Sequence, residues 1–366
     1  MTTATPRVFR ATVAIAMVIG GCQPSPPAFV QASEVRLNGR LREQTAGTTP
    51  PATQAGLPIA TPEAVGMSTE RLRRVHDAVQ QQIEAGTISG AVTLVARDGR
   101  VVHFLAHGLR DVESRAPMTK DAIFRIASMT KPITGVAVLM LVEQGKVRLD
   151  DPLSRFIPAF KSMTVETARG ATGPIPVDCD RACFERLIGQ QPVDQAPVEP
   201  VPASREITIR DLLTHTAGLV TVNGLVAQRP VRPWPLASTD ALASYIPKRA
   251  GLPLDFQPGT RWSYSPLVGG DVLARVVEIA SGQTYDRFLK ERVFDPLGMK
   301  DTFFYLPEDR RSRLASLYDS TPSGLRPRAE TVSTFSGAYC GGGANLQSSA
   351  EDYLRFAQMR GCPGSC

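Results

Sequence analysis

The chain has 366 residues, 42% of them apolar and 21% charged, with a formal net charge of +6. Those proportions exclude a disordered chain, a collagen repeat and a coiled coil, and the length suffices to bury a large core in one or two domains. The positive excess is spread along the chain rather than gathered in a basic stripe, which argues against nucleic acid as a partner.

Arg7 and Arg10 precede an apolar run, Ala11 to Gly21, too short to span a bilayer as a mature helix. The run ends Ile19-Gly20-Gly21-Cys22, which resembles a bacterial lipobox, where small residues precede a cysteine that is lipidated and becomes the mature N-terminus. Residues 1–21 are therefore expected to be a lipoprotein signal peptide and Cys22 the lipidation site. The protein would then be exported, periplasmic and held to the bacterial membrane by its lipid anchor. An ordinary secretory signal containing a cysteine is the rival reading. Residues 22–62 hold seven prolines among Gln, Thr and Ala, the composition of a flexible tether. Residues 63–366 are then the folded domain.

Within it, Leu72, Val75, Val79 and Ile83 fall at helical spacing, and Ser68 and Thr69 are start signals, which predicts a helix over Ser68 to Ala85. Two β-rich runs, Ala91 to Ala96 and Val101 to Leu105, flank Arg97-Asp98-Gly99-Arg100 and predict a hairpin. Ile133 to Gln144 is almost wholly apolar and predicts a helix buried nearly all round. Further helices are expected at Ile209 to Thr214, Asp271 to Ala280 and Tyr285 to Val293. Strands open the chain and helices fill its middle. The fold class is therefore α+β, an antiparallel sheet flanked by helices with a helical lobe.

Seven more prolines lie within residues 158–202, and the stretch at about 165–205 reads as a long surface excursion inside the domain. It carries Cys179 and Cys183, four apart and close enough for a local disulfide in an oxidising compartment. Zinc is the rival reading, but the chain has four histidines and none is near these cysteines. Pairing among Cys340, Cys362 and Cys366 is left open, since five cysteines beyond Cys22 leave at least one thiol over.

Ser128-Met129-Thr130-Lys131 is the Ser-x-x-Lys of this chain. Pro132 is tolerated only in the first turn of a helix, so a helix must start near Ser128. Residues three apart then share a face, which brings the Lys131 amine over the Ser128 hydroxyl. Serine is a weak nucleophile until a base takes its proton, and a desolvated lysine can be that base. A serine cap beside a solvated lysine fits the same spacing.

The segment FRIASMTKPITGVAVLMLVEQGKVRLDDPLSRFIP resembles the active-site segment of serine hydrolases related to class C β-lactamases, family VIII esterases and penicillin-binding proteins. Three later stretches agree in order: ITIRDLLTHTAGL, PGTRWSYSPLVGGDVLARVVEIASGQTYDRFLKERVFDPLGMKDTFF and GGGANLQSSAEDYLRFAQM. The resemblance implies a β-lactamase/transpeptidase-like fold, with Ser128 acylated and Lys131 its activating partner. Tyr264 stands where the family has the tyrosine of Tyr-x-Asn, which implies that it shuttles the serine proton. Pro266 replaces the asparagine, a departure that argues for simple esters over lactams. The third family element, a strand bearing Lys-Thr-Gly, His-x-Gly or Trp-x-Gly, is missing after the helix predicted to start at Ser349-Ala350-Glu351-Asp352. The C-terminal strands are therefore expected to be absent, leaving an open sheet edge and an oxyanion hole short of one donor, and with them low turnover.

Other candidates are read as structural: His215 in a packed helix end, Gly341-Gly342-Gly343 as a tight turn, and Asp150-Asp151 as a turn before Pro152. No cofactor or metal is expected. The function this implies is a serine hydrolase acting through an acyl-enzyme on a small carboxylic ester or amide. The alternatives are a β-lactamase or D-Ala-D-Ala carboxypeptidase, and a non-catalytic lipoprotein that keeps the fold as a binding module.

Overall fold

Ser68 starts the first helix, α1 (Thr69–Glu84), by accepting the Arg71 amide on its hydroxyl, while the Glu63 carboxylate takes the Thr69 amide at 2.9 Å. A computed structural model describes residues 57–168, 198–221, 240–328 and 337–359. Cys22, Cys179, Cys183, Cys362 and Cys366 lie outside them, as does the signal segment 1–21. Most of the expected tether, up to residue 56, lies outside the described residues. The Val101 amide donates to the Pro58 carbonyl and the Ala60 amide to the Val101 carbonyl, so these residues are already part of the fold.

The predicted hairpin forms between β1 (Gly90–Arg97) and β2 (Arg100–Asp111). Asp98 (φ 52°) and Gly99 (φ 72°) both take the left-handed conformation that a tight two-residue hairpin turn demands. A short β3 (Ala116–Pro117) pairs with β2, so β1 is an edge strand of this sheet among the described residues. The next strand, β4 (Ile123–Arg125), leads into α2 (Thr130–Glu143). The register of β4 is fixed against β9 (Gln347–Ser349), which immediately precedes α8 (Ala350–Met359). Each strand pair named here and below is antiparallel, but the pairs form four small sheets rather than one continuous sheet.

β5 (Thr164–Ala168) and β6 (Val198–Pro202) pair from Thr164↔Pro202 to Ala168↔Val198. Both flanks of the Pro-rich excursion are therefore strand. The helical lobe follows: α3 (Ile209–Leu213), α4 (Leu242–Arg249), α5 (Val268–Ser281) and α6 (Tyr285–Leu289). The helix predicted over Tyr285 to Val293 passes into a π-helical turn at Lys290–Phe294 and a last short turn, α7 (Asp295–Leu297), stopped by left-handed Gly298. β7 (Tyr318–Thr321) and β8 (Gly324–Pro327) make a late hairpin.

The core joins α2, α5, α6 and α8 through Ile133, Leu141, Val276, Tyr285 and Phe356. Burying each such side chain contributes about 1.5–3 kcal/mol. Helix α2 is not buried nearly all round, as its composition predicts. Ile133, Thr134, Ala137, Val138 and Leu141 face the core, whereas Leu139 is 48% exposed. Asp151 caps a turn by accepting the Arg148 amide, as read from its place before Pro152. Cys340 has no disulfide partner among the described residues, and burial pushes its thiol up to about 12. Among the described residues no helix is long and apolar enough to cross a membrane, and no cluster of His, Cys, Asp or Glu could hold a metal ion.

Candidate active site

β4 delivers the chain to a sharp bend at Ala127, whose left-handed φ of 45° is an unfavourable conformation for a residue with a Cβ. The bend opens a single 3-10 turn, Ala127–Met129, and leaves Ser128 exposed. Helix α2 starts near Ser128 as the spacing predicts, at Thr130, with Met129 at the N-cap and Pro132 in the first turn. The bend is braced from α8 and β9. The Tyr353 hydroxyl donates to the Met129 carbonyl, and the Thr130 hydroxyl accepts the Leu346 amide.

Lys131 reaches back over Ser128, its Nζ 3.3 Å from Ser128 Oγ. The same nitrogen donates to the carbonyls of Pro266 at 2.5 Å and Gly343 at 2.8 Å. An ammonium has three N–H groups, and three acceptors surround it here. The Tyr264 hydroxyl donates to Ser128 Oγ at 2.6 Å, and Lys131 Nζ sits 4.9 Å from the centre of the tyrosine ring. Ser128, Lys131 and Tyr264, named from sequence 136 residues apart at their extremes, therefore meet at one point. Such a constellation has a nucleophile, a proton acceptor one hydrogen bond away and a fixed cation beside both.

The segment that carries Tyr264 is pinned on both sides. Ser265 is buried; its hydroxyl donates to the Leu219 carbonyl and accepts the Gly269 amide that opens α5. His215 adjoins the site rather than resting in a packed helix end. It follows α3 with a left-handed φ of 58°, and its ring lies 4.9 Å from that of Tyr264. Its Nδ1 accepts the Ser265 amide at 3.3 Å, which leaves any neutral-ring proton on Nε2. Burial, with a smaller push from Lys131, holds the His215 pKa below its usual value.

Two contributors escape a reading by motif. Gly341–Gly343 does form a tight turn, but that turn also presents the Gly343 carbonyl to Lys131. Behind it lies Asp271 of α5, 1% exposed, which accepts the Gly343 amide at 2.8 Å and the Tyr339 hydroxyl at 2.7 Å. Burial drives the Asp271 carboxyl up to about 6 against those two hydrogen bonds and the attraction of Lys131. An aspartate in the first turn of an apolar helix reads as a dipole partner, and no local pattern ties it to a glycine turn 72 residues later.

The beta-lactamase family model matches residues 75–363. The chain belongs to the beta-lactamase family. An uncharacterized protein of Mycobacterium tuberculosis is 34% identical over 291 residues, 77% of this chain and 64% of that protein. The chain thus spans just under two thirds of the length of this family relative. Esterase EstB of Burkholderia gladioli is 32% identical over 333 residues, covering 83% of this chain and 74% of the esterase. Among solved structures, EstCE1, a hydrolase with promiscuous acyltransferase activity, superposes with a TM-score of 0.59 at 28% identity, covering 79% of this chain and 71% of that one. The fold is β-lactamase/transpeptidase-like, as the resemblance of the Ser128 segment implies.

Proposed function

We propose that this beta-lactamase-family chain is a serine hydrolase that cleaves small carboxylic esters through an acyl-enzyme on Ser128. The observation that carries the reading is the 2.6 Å contact between Tyr264 Oη and Ser128 Oγ, with the Lys131 ammonium at 3.3 Å from the same oxygen. In the reaction, Ser128 Oγ attacks the ester carbonyl carbon as its proton passes to the Tyr264 oxygen and the tyrosine's own proton moves on to the alkoxy oxygen of the ester. The resulting tetrahedral oxyanion collapses, and the proton given up by the tyrosine leaves with the alcohol. Water then attacks the acyl-serine by the reverse relay and releases the acid. Lys131 stays fixed over the serine, since the Pro266 and Gly343 carbonyls and Ser128 engage its three N–H groups.

Esters are preferred to lactams because Pro266 supplies only its carbonyl where related β-lactamases offer an asparagine amide. Relatives named as an esterase and as a hydrolase with acyltransferase activity support the same substrate class. Arg7, Arg10, the apolar run and Cys22 support export and lipid anchoring.

The test is labelling with a fluorophosphonate, which reacts only with an activated serine. Label on Ser128 in the wild type and none in Ser128→Ala supports the proposal. An unlabelled wild type would overturn it and favour a binding module.

A further inference from the structure

Lys131 and Tyr264 account for the proton relay but not for what holds it in place. Asp271 is fully buried, and its two partners are both drawn from residues 339–343: the Tyr339 hydroxyl and the Gly343 amide. Gly343 is a relay in the literal sense. Its amide donates to Asp271 at 2.8 Å while its carbonyl accepts Lys131 Nζ at 2.8 Å. The turn has no room to choose another partner. A Cβ on Gly341 would come within 2.7 Å of the Asp271 carboxylate, and one on Gly270 within 2.9 Å of the Gly343 nitrogen.

We infer that Asp271 is a positioning residue: its buried carboxylate holds the Gly343 amide and so fixes the Gly343 carbonyl on Lys131. This deepens the hydrolase reading and rests on it. The groups facing Asp271 are Lys131 from α2, Tyr245 from α4, Tyr285 from α6 and Tyr339 from the turn before β9. Lys131 is the one basic side chain among these four. A hydrogen bond to a charged acceptor is the stronger kind, so neutralising Asp271 loosens its hold on the Gly343 amide and with it the seat of the Gly343 carbonyl on Lys131.

Asn keeps the shape of Asp here, its oxygen accepting the Gly343 amide and its nitrogen donating to the Tyr339 oxygen, whose own proton loses its acceptor. The experiment follows the rate of Ser128 labelling by a fluorophosphonate from pH 5 to pH 9, each protein normalised to its own rate at pH 5. Because the wild-type carboxyl itself titrates at about 6, wild type and Asp271→Asn should coincide below that pH. Above it the wild type gains a charge-assisted bond to Gly343 that the variant lacks, so the two profiles should diverge there. A merely structural loss would scale the rate equally at every pH.

Tyr339→Phe gives an independent arm, since it removes a hydrogen bond that holds the Asp271 pKa down. The wild-type inflection should then move to higher pH with Ser128, Lys131 and Gly343 untouched. Profiles of unchanged shape in either variant that folds, with Ser128 still labelled, overturn the role of Asp271 alone. No labelling in the wild type overturns the hydrolase reading as well.

Discussion

Gly270 and Gly343 lie back to back: a Cβ on Gly270 would come within 2.7 Å of the Gly343 Cα. Nothing in that contact is flexible, since helix α5 meets the backbone of the turn. Gly270→Ala should therefore displace the turn and draw the Gly343 carbonyl off Lys131. Overpacking of this kind costs about 1–3 kcal/mol. The expected result is a lower Tm together with a drop in kcat for an aryl ester. Wild-type turnover with a lowered Tm would separate the turn from the chemistry.

Tyr264→Phe removes one oxygen and leaves the ring against His215. General acid–base catalysis is worth about 10²–10⁴-fold, and kcat should fall by that order. The Tm should hardly move, because the hydroxyl's partner is the exposed Ser128. Stopped-flow turnover and a thermal scan check the two halves of this prediction. Full activity would leave Lys131 as the base.

The acid limit of stability should be visible at Asp211. Burial would raise its pKa, but hydrogen bonds from Arg205 and Thr208 bring it down to about 2. A carboxyl whose pKa is depressed in the fold stabilises at all pH above the unfolded value and loses that contribution as pH falls through the folded one. For this pair of values the contribution is about 2 kcal/mol. Asp211→Asn should be markedly less stable than wild type at pH 7, and the gap should close between about pH 4 and pH 2. Denaturant melts across that range would show it, and a constant gap would contradict it.

Cys22→Ser tests the proposed anchor. The variant should appear in the soluble periplasmic fraction or keep its signal segment, and it should lose metabolic palmitate labelling. Label that persists in the variant would place the lipid elsewhere.

Local chemistry was readable wherever one segment carried its own instructions. The Asp98-Gly99 turn, the Ser68 cap and the Ser128–Lys131 spacing each depend on neighbours within four residues, and each appears in the structure. Tyr264 came from resemblance, because no local rule links it to a serine 136 residues earlier. Asp271, the Pro266 carbonyl and His215 were not legible as site residues. Backbone carbonyls leave no mark in composition, and the closeness of Asp271 to Gly343 is a property of packing. The π-helical turn at Lys290–Phe294 was equally hidden, since its residues have ordinary helical preferences.

The pairing of β5 with β6 has a use that the catalytic site does not need. Ala168 and Val198 stand opposite each other, so the two ends of this ladder lie about 5 Å apart. A strand ladder that closes its own base makes whatever hangs from it a replaceable cassette. Closure entropy rises only with the logarithm of loop length, by about 0.6 kcal/mol per doubling. The ladder is thus a splice port, where a two-residue turn or an entire foreign module could be exchanged for residues 169–197 while Ser128 keeps its neighbours.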